Sequence, residues 1–161
     1  MKSYFVYIPL VTLVTAILGS VFTSGSTNGW YKTISLPPWT PNGSFIGTVW
    51  TVIFALAAIS ALIVWNTTSR KKSLKKFLPA ISVAFVLNAI LNVLWSFIFF
   101  NQHQIGTAII EAGILGISVA ILIVLIYPIS RLASYLLVPY LLWVCFATYL
   151  TYIIWILNRP A

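Results

Sequence analysis

Five apolar runs, each long enough to cross a membrane, constrain this chain more than any other feature of its sequence. A transmembrane helix needs about 20 mostly apolar residues. Of the 161 residues, 61% are hydrophobic and 6% are charged, which excludes an ordinary soluble domain. The sequence therefore predicts an all-α integral membrane protein, a five-transmembrane-helix bundle that forms a single domain over residues 1–161. The predicted helices lie at about 4–24, 45–66, 79–100, 106–127 and 134–157.

The first apolar run has an alternative interpretation as a signal peptide. Lys2 precedes it, and small residues follow at Gly19-Ser20 and Ser24-Gly25-Ser26. Its apolar stretch is long for a signal peptide, and only one basic residue stands before it. We therefore expect a retained helix.

The distribution of basic residues predicts the orientation of the bundle. Five helices put the two termini on opposite sides, so Lys2, the 70–76 segment and Arg131 share one side, whereas Lys32 and Arg159 lie on the other. Short loops rich in Lys and Arg stay in the cytoplasm. We expect a cytoplasmic N-terminus, with the first loop and the C-terminus on the opposite side.

The formal net charge of +8 raises the question of a nucleic-acid partner. More than half of the basic residues fall within 70–76, in a short connection between apolar runs. Such a segment is typical of contact with anionic lipid head groups. We expect a lipid membrane as partner and no nucleic acid.

A proline- and tryptophan-rich loop, at about residues 25–44, separates the first two runs. Pro37, Pro38 and Pro41 each fix the backbone φ angle near −65° and remove an N–H donor, which stiffens the chain. A stiff loop can hold Trp39 in one place over the helices below. The pattern therefore predicts a lid.

Aromatic and amide side chains are expected beneath this loop. Asn88, Asn92 and Trp95 are spaced by four and three residues, so they share one helical face, and amides in lipid should face the bundle interior. Counting helical rise places several other residues at similar depth. They are Trp50, Trp143, Phe146 and Ala147.

Two interpretations of these deep residues stay open from the sequence. The tryptophans either contact a ligand or pack against other helices, with equal weight, and the asparagines could equally join helices by hydrogen bonds. Trp30, Trp65 and Trp155 lie at predicted helix ends, where tryptophans gather at the membrane interface.

Few side chains could carry chemistry. Glu111 is the sole acidic residue, and its position near the outer helix end suggests contact with interfacial water or Lys32; a structural role is weighed above proton coupling in a transporter. His103 is expected to be a solvated loop histidine. Cys145 is the only cysteine, which excludes an intramolecular disulfide. No catalytic motif and no metal site is predicted.

Four segments, in order and in register, resemble the TspO/MBR family of tryptophan-rich sensory proteins. They are WYKTISLPPWTP, FIGTVWTVIFAL, LNVLWSFIFF and VPYLLWVCFATYLTYIIWILN. The resemblance covers nearly the whole chain. The family includes the mitochondrial translocator protein. The resemblance implies that this chain is a five-helix bundle in a bacterial cell membrane. Members of the family are commonly homodimers. Small-residue pairs at Ala80 and Ala84, and at Gly113 and Gly116, offer surfaces for such pairing.

The same resemblance implies a receptor that binds porphyrins and related hydrophobic ligands in a pocket capped by the first loop. No cofactor is required; a protoporphyrin-like tetrapyrrole is the ligand. An alternative is an enzyme that degrades the porphyrin in light, and a second alternative is a transporter. Matching positions make Trp50 and Trp143 the candidate catalytic residues. The candidate ligand-binding residues are Trp39, Pro41, Trp50, Asn88, Asn92, Trp95, Trp143, Phe146 and Ala147.

The chain departs from the family's proposed cholesterol motif. That motif needs Lys or Arg within five residues of an aromatic, but six residues separate Tyr152 from Arg159. Ile156 stands at the arginine position, and Thr151 replaces the expected asparagine. The departure argues against a sterol partner.

Overall fold

The computed structural model describes residues 3–27 and 29–159, apart from the side chain of Lys72. Lys2, which contributed to the charge argument, lies outside the described residues. The described part of the chain has no β-strand. Short 3₁₀ turns cover Trp30–Lys32 and Lys72–Phe77, and a π-helical turn covers Phe97–Asn101. The α-helices are α1 (Tyr4–Thr27), α2 (Gly43–Arg70), α3 (Leu78–Ser96), α4 (Ile105–Ile126), α5 (Arg131–Tyr135) and α6 (Val138–Asn158).

Five helical segments are long and apolar enough to span a membrane, so the predicted fold class is confirmed. The helix ends differ in places from the predicted ones. The second helix begins earlier, at Gly43, because the side chain of Asn42 accepts a hydrogen bond from the Phe45 N–H at 2.8 Å and caps the first turn. The helix also continues to Arg70, and within its last turns the Thr68 hydroxyl donates a hydrogen bond to the Val64 carbonyl.

The fifth predicted helix, 134–157, is interrupted near its start. The short α5 is capped by Ser130, whose hydroxyl accepts from the Ala133 N–H at 3.3 Å. A new helix then starts at Val138, with Pro139 in its first turn, where a missing N–H costs no hydrogen bond. The third helix changes too, because its last turn, Phe97–Asn101, is π-helical.

The five spans form a ring in the order α1, α2, α6, α4, α3. In this ring α4 packs against both α3 and α6 and is the most buried span, whereas α1 is the least buried. Small residues allow the close approach of α4 to α6: a Cβ at Gly116 would lie 3.5 Å from Val144 Cγ1. Of the small-residue pair on α3, Ala80 is exposed, whereas Ala84 packs against the core.

Three apolar clusters fill the ring from one end to the other. We call the end with the 70–76 segment the basic end; its cluster includes Val64, Ile81 and Leu122. The middle cluster lies around Ile53, Val119 and Tyr140. We call the end with residues 29–42 the loop end; its cluster is built from the residues Phe99, Ala108, Leu150 and Ile154. The packing is thinner around α1, and both cavities described below lie against this helix.

Candidate functional site

A cavity of about 890 Å³ lies inside the loop end of the bundle, and all five spans border it. We call it the loop-end cavity. Its volume is toward the upper end of the roughly 300–1,000 Å³ that small-molecule pockets occupy. Six of the residues predicted to bind a ligand line it: Trp50, Asn92, Trp95, Trp143, Phe146 and Ala147.

Each of the three cavity tryptophans is also packed against other rings. Trp95 is stacked on Phe99, with ring centroids 5.2 Å apart and an interplanar angle of 10°. The ring of Trp50 contacts Tyr140 edge-on at 6.0 Å. Trp143 lies 5.2 Å from Phe146. From the sequence, packing against other rings and a place in a cavity wall are alternatives for these tryptophans. In the structure both occur together, because an indole has two faces and a long edge.

The indole nitrogens of two cavity tryptophans have no acceptor. Trp95 Nε1 and Trp143 Nε1 are buried and make no hydrogen bond with the described residues. A buried donor without a partner costs about 1–3 kcal/mol. Other parts of both side chains line the cavity, whereas the two nitrogens themselves are buried in the surrounding packing.

The two asparagines of α3 join helices, but only one of them lines the loop-end cavity. Asn92 Nδ2 donates to the Tyr140 hydroxyl at 3.1 Å, and Asn88 Nδ2 donates to Ser118 Oγ at 2.8 Å. Asn92 lines the loop-end cavity, whereas Asn88 lies outside it and lines a second cavity toward the basic end. The expected grouping of Asn88 with Trp95 at one site therefore needs correction. The two residues are seven positions apart on one face of α3, and this face borders the loop-end cavity at Trp95 and the second cavity at Asn88.

Trp39 and Pro41, the two site residues predicted in the lid, do not line the loop-end cavity. The ring of Trp39 is stacked on Tyr149, with centroids 5.8 Å apart and an angle of 11°, and is 46% exposed. The same ring lies 6.2 Å from Phe146, a residue of α6 that lines the cavity. From the 3₁₀ turn of the loop, Tyr31 borders the cavity instead. Burial raises the pKa of its hydroxyl above the usual 10.0.

Hydrogen bonds hold the loop onto the end of α6. The Ser35 N–H donates to Asn158 Oδ1 at 2.8 Å, and Asn158 Nδ2 donates to the Ser35 carbonyl at 2.9 Å. The same Nδ2 reaches the Ile154 carbonyl at 2.7 Å. One side chain thus ties the loop to the helix in both directions, and it was not predicted from the sequence.

Glu111 is more deeply enclosed than expected. It is 5% exposed, and neither carboxylate oxygen has a hydrogen-bond partner in the described part of the chain. The expected contact with Lys32 is therefore not formed among the described residues. Glu111 also does not line the loop-end cavity, although its neighbour Ala112 does. Among the described residues, no group of three or more His, Cys, Asp or Glu side chains could hold a metal ion.

The tryptophans predicted at the membrane interface have packed partners. Trp30 is stacked on the exposed His103, with centroids 4.2 Å apart. Trp155 covers Gly106, where an added Cβ would lie 3.2 Å from the indole nitrogen. Trp65 contacts Phe85 and borders the second cavity. His103 has a positive φ of 56°, which ends the π-helical segment in a tight turn.

The sequence interpretation missed a wall of small hydroxyl side chains. It faces the loop-end cavity from α1 and α2, and several of its members bond back to their own helix, as Thr23 does to the Gly19 carbonyl at 2.8 Å. Serines and threonines recurring every three or four residues in an apolar run were the available signal. The residues of this wall are Ser20, Thr23, Ser24, Ser44, Thr48 and Thr51.

Comparison with known proteins identifies relatives along almost the whole chain. The model of the TspO/MBR family matches residues 6–156. The tryptophan-rich protein TspO of Bacillus cereus is 36% identical over 80% of this chain and 80% of its own. The protein of the same name from Archaeoglobus fulgidus is 34% identical over 92% and 93%. The translocator protein of Homo sapiens is 32% identical over 86% and 80%.

Proposed function

The chain belongs to the TspO/MBR family, and from that premise we propose that it is a membrane receptor for a protoporphyrin-like tetrapyrrole. The ligand lies in the loop-end cavity. One observation carries the proposal: the side chains of Trp50, Trp95 and Trp143, from three different helices, line one large cavity.

The chemistry of a tetrapyrrole suits this cavity in three ways. Its flat conjugated ring offers the faces on which indoles stack. Its carboxylate substituents are acceptors for the hydroxyl groups of the wall on α1 and α2. Its bulk matches a volume of about 890 Å³. Stacking supplies most of the affinity, and the polar contacts set the orientation of the ring.

Replacing single indoles by phenyl rings tests the proposal. Trp143→Phe and Trp95→Phe keep an aromatic ring but remove the N–H donor. We expect each to weaken protoporphyrin binding about fivefold, since the smaller ring gives up part of an aromatic contact that contributes about 0.5–1.5 kcal/mol. The measurement is the Kd from porphyrin absorbance titrations of the purified protein. The matched control is Trp155→Phe, because Trp155 does not line the cavity. Unchanged Kd values in both cavity variants would exclude this placement.

A second candidate, light-dependent porphyrin breakdown, is favoured by the position of Trp50 and Trp143 in the wall of one cavity. In this reaction the excited porphyrin is oxidised, dioxygen is reduced, and the indoles are redox-active neighbours of the macrocycle. Illumination of the protein with protoporphyrin in air separates the two candidates. Conversion to a discrete product that is lost in Trp50→Phe and Trp143→Phe supports an enzyme. Bleaching at the rate seen in detergent alone leaves the receptor.

A further inference from the structure

A second cavity, of about 350 Å³, lies toward the basic end of the bundle. It is enclosed by α1, α2 and α3, with Tyr140 of α6 at its deep end. We call it the basic-end cavity. Phe54 and Asn92 border both this cavity and the loop-end cavity, so they form the partition between the two.

The basic-end cavity is long and narrow. Its wall runs along α1 from Ser3 to Thr15 and along α3 from Ser82 to Asn92. At 1.5 Å per residue these stretches measure about 15–18 Å. A volume of about 350 Å³ spread over that length leaves a slender space. An extended hydrocarbon chain fits this shape, whereas a flat macrocycle does not.

One side of the cavity opens between α1 and α3. Three lining side chains there are more than half exposed: Tyr7 at 63%, Val11 at 52% and Val86 at 54%. In a bilayer these residues face lipid, since the helix surface is apolar on both sides of the opening. A hydrocarbon chain can therefore enter sideways from the membrane without crossing a polar barrier.

The deep end of the cavity is polar, which limits how far such a chain can extend. Asn88, Asn92 and Tyr140 are buried there, and their side chains are used in hydrogen bonds between helices. Apolar atoms pressed against these groups gain little, because the amides are already paired and offer no apolar surface. The cavity is thus closed by polar groups at its deep end and open between α1 and α3 at its side.

The other end of the cavity lies toward the basic end of the bundle. The Tyr4 hydroxyl at the cavity mouth is 3.5 Å from Asn66 Oδ1, one helical turn before Arg70. Arg70, Lys71, Lys75 and Lys76 are exposed. The only acidic side chain in the sequence, Glu111, is buried in α4. Charge complementarity at this end therefore comes from outside the protein, from anionic lipid head groups or from the anionic group of a bound ligand.

We propose that the basic-end cavity is a second ligand site, for a single-chain anionic amphiphile of the long-chain carboxylate class. Its tail lies along α1 and ends before the amide partition. Its carboxylate lies at the mouth of the cavity, near the 70–76 segment. This site is separate from the tetrapyrrole site and does not depend on the function proposed for it.

Photo-crosslinking in nanodiscs tests the proposal directly. The probe is palmitate with a diazirine on its chain, and crosslinked peptides are mapped by mass spectrometry. We expect saturable labelling of α1 and α3 residues that line the cavity. Unlabelled palmitate should compete, and hexadecyltrimethylammonium, with the same tail and the opposite charge, should compete much less. Labelling spread evenly over lipid-facing residues, or equal competition by the cation, would overturn the proposal.

Variants that fill the cavity or remove charge complete the experiment. Ala89→Phe and Thr12→Phe place a ring in the cavity and should abolish the saturable labelling, while Ala55→Phe, on the exposed side of α2, should leave it intact. Lys71→Gln and Lys75→Gln should each weaken labelling about fivefold, the equivalent of about 1 kcal/mol per basic residue at an anionic group. Circular dichroism and size-exclusion chromatography of the same proteins in detergent confirm that they are folded. Labelling that persists in both filled variants contradicts the site.

Discussion

At the residue scale, the buried polar side chains of this bundle fall into two groups. Asn88 and Asn92 have partners on neighbouring helices, so their amides stabilise the ring of spans. Trp95, Trp143 and Glu111 have polar atoms without partners among the described residues. Partnered groups are explained by folding alone, whereas unpartnered ones carry a cost that the fold does not recover.

The hydrogen bond from Asn92 to Tyr140 should contribute measurably to stability. Tyr140→Phe removes the acceptor and leaves a buried amide unpaired. We expect a loss of roughly 0.6–1.7 kcal/mol, the range measured for interhelical hydrogen bonds in membranes. The measurement is equilibrium unfolding in mixed micelles. Tyr149→Phe is the control, since Tyr149 is exposed and keeps its stacking on Trp39 as a phenyl ring. Equal stability of both variants and the parent would contradict this role.

Glu111 should cost the fold stability, because it is buried and unpartnered. Glu111→Met replaces the carboxyl with an apolar chain of similar length. We expect a gain of about 1–3 kcal/mol, the desolvation penalty of an unpaired polar group, and hence a higher thermal midpoint in detergent. Glu111→Gln, which keeps a polar group but no charge, should fall between the two. A lower midpoint for the methionine variant would show that the carboxyl has a stabilising partner.

At the scale of secondary-structure elements, the loop between α1 and α2 is a packed layer along α6. Its prolines stiffen it as predicted from their chemistry. Its position, however, follows from contacts distant in sequence: Tyr31 lies on Phe99 and Phe100, Trp39 lies on Tyr149, and Ser35 bonds to Asn158. The loop is therefore held by several separate contacts, and it detaches from the helices only when more than one of these contacts is lost.

Asn158 is the polar anchor of this loop. Asn158→Ala removes both hydrogen bonds to Ser35, each of which contributes about 0.5–1.5 kcal/mol. We expect the Ser35 amide to exchange its hydrogen about tenfold faster or more, measured by hydrogen–deuterium exchange with mass spectrometry. Asn101→Ala, at the same end of the bundle, is the control because Asn101 bonds only to the exposed Gln102. Unchanged exchange at Ser35 would mean that the ring contacts alone hold the loop.

At the scale of the whole molecule, charge is divided between the two ends of the ring. The described basic side chains of the 70–76 segment and Arg131 lie at one end, and Lys32 and Arg159 lie at the other. This asymmetry is a property of the assembled bundle, because alternate connections meet at the same end. It predicts the orientation of the protein in its membrane.

Site-directed labelling measures that orientation. In a Cys145→Ser background, which removes the only native cysteine, Ser73→Cys and Gln102→Cys place single exposed thiols at the two ends. We expect a membrane-impermeant maleimide to label Gln102→Cys in intact bacterial cells and Ser73→Cys only after permeabilisation. The reverse pattern would place the basic end outside and refute the positive-inside assignment.

Several residues illustrate how far the sequence alone reaches into this site. Counting along separate helices predicts similar depths for Trp50, Trp95 and Trp143, whereas their place in the wall of one cavity is seen only in the structure. Asn88 was grouped with them because helical periodicity specifies a shared face of α3. The same face, however, borders two cavities at different depths. Only the packing of α1 and α2 against α3 shows where the loop-end cavity ends and the basic-end cavity begins.

The sequence by itself determined the five spans, the stiff loop and the charged connection, because hydrophobicity, proline chemistry and charge act over a few neighbouring residues. Only the tertiary structure decided the ring order of the helices, the place of Trp39 outside the cavity and the amide partition. Those features depend on how far each helix is rotated and shifted against partners distant in the chain. That choice is made by close packing, and no single segment contains it.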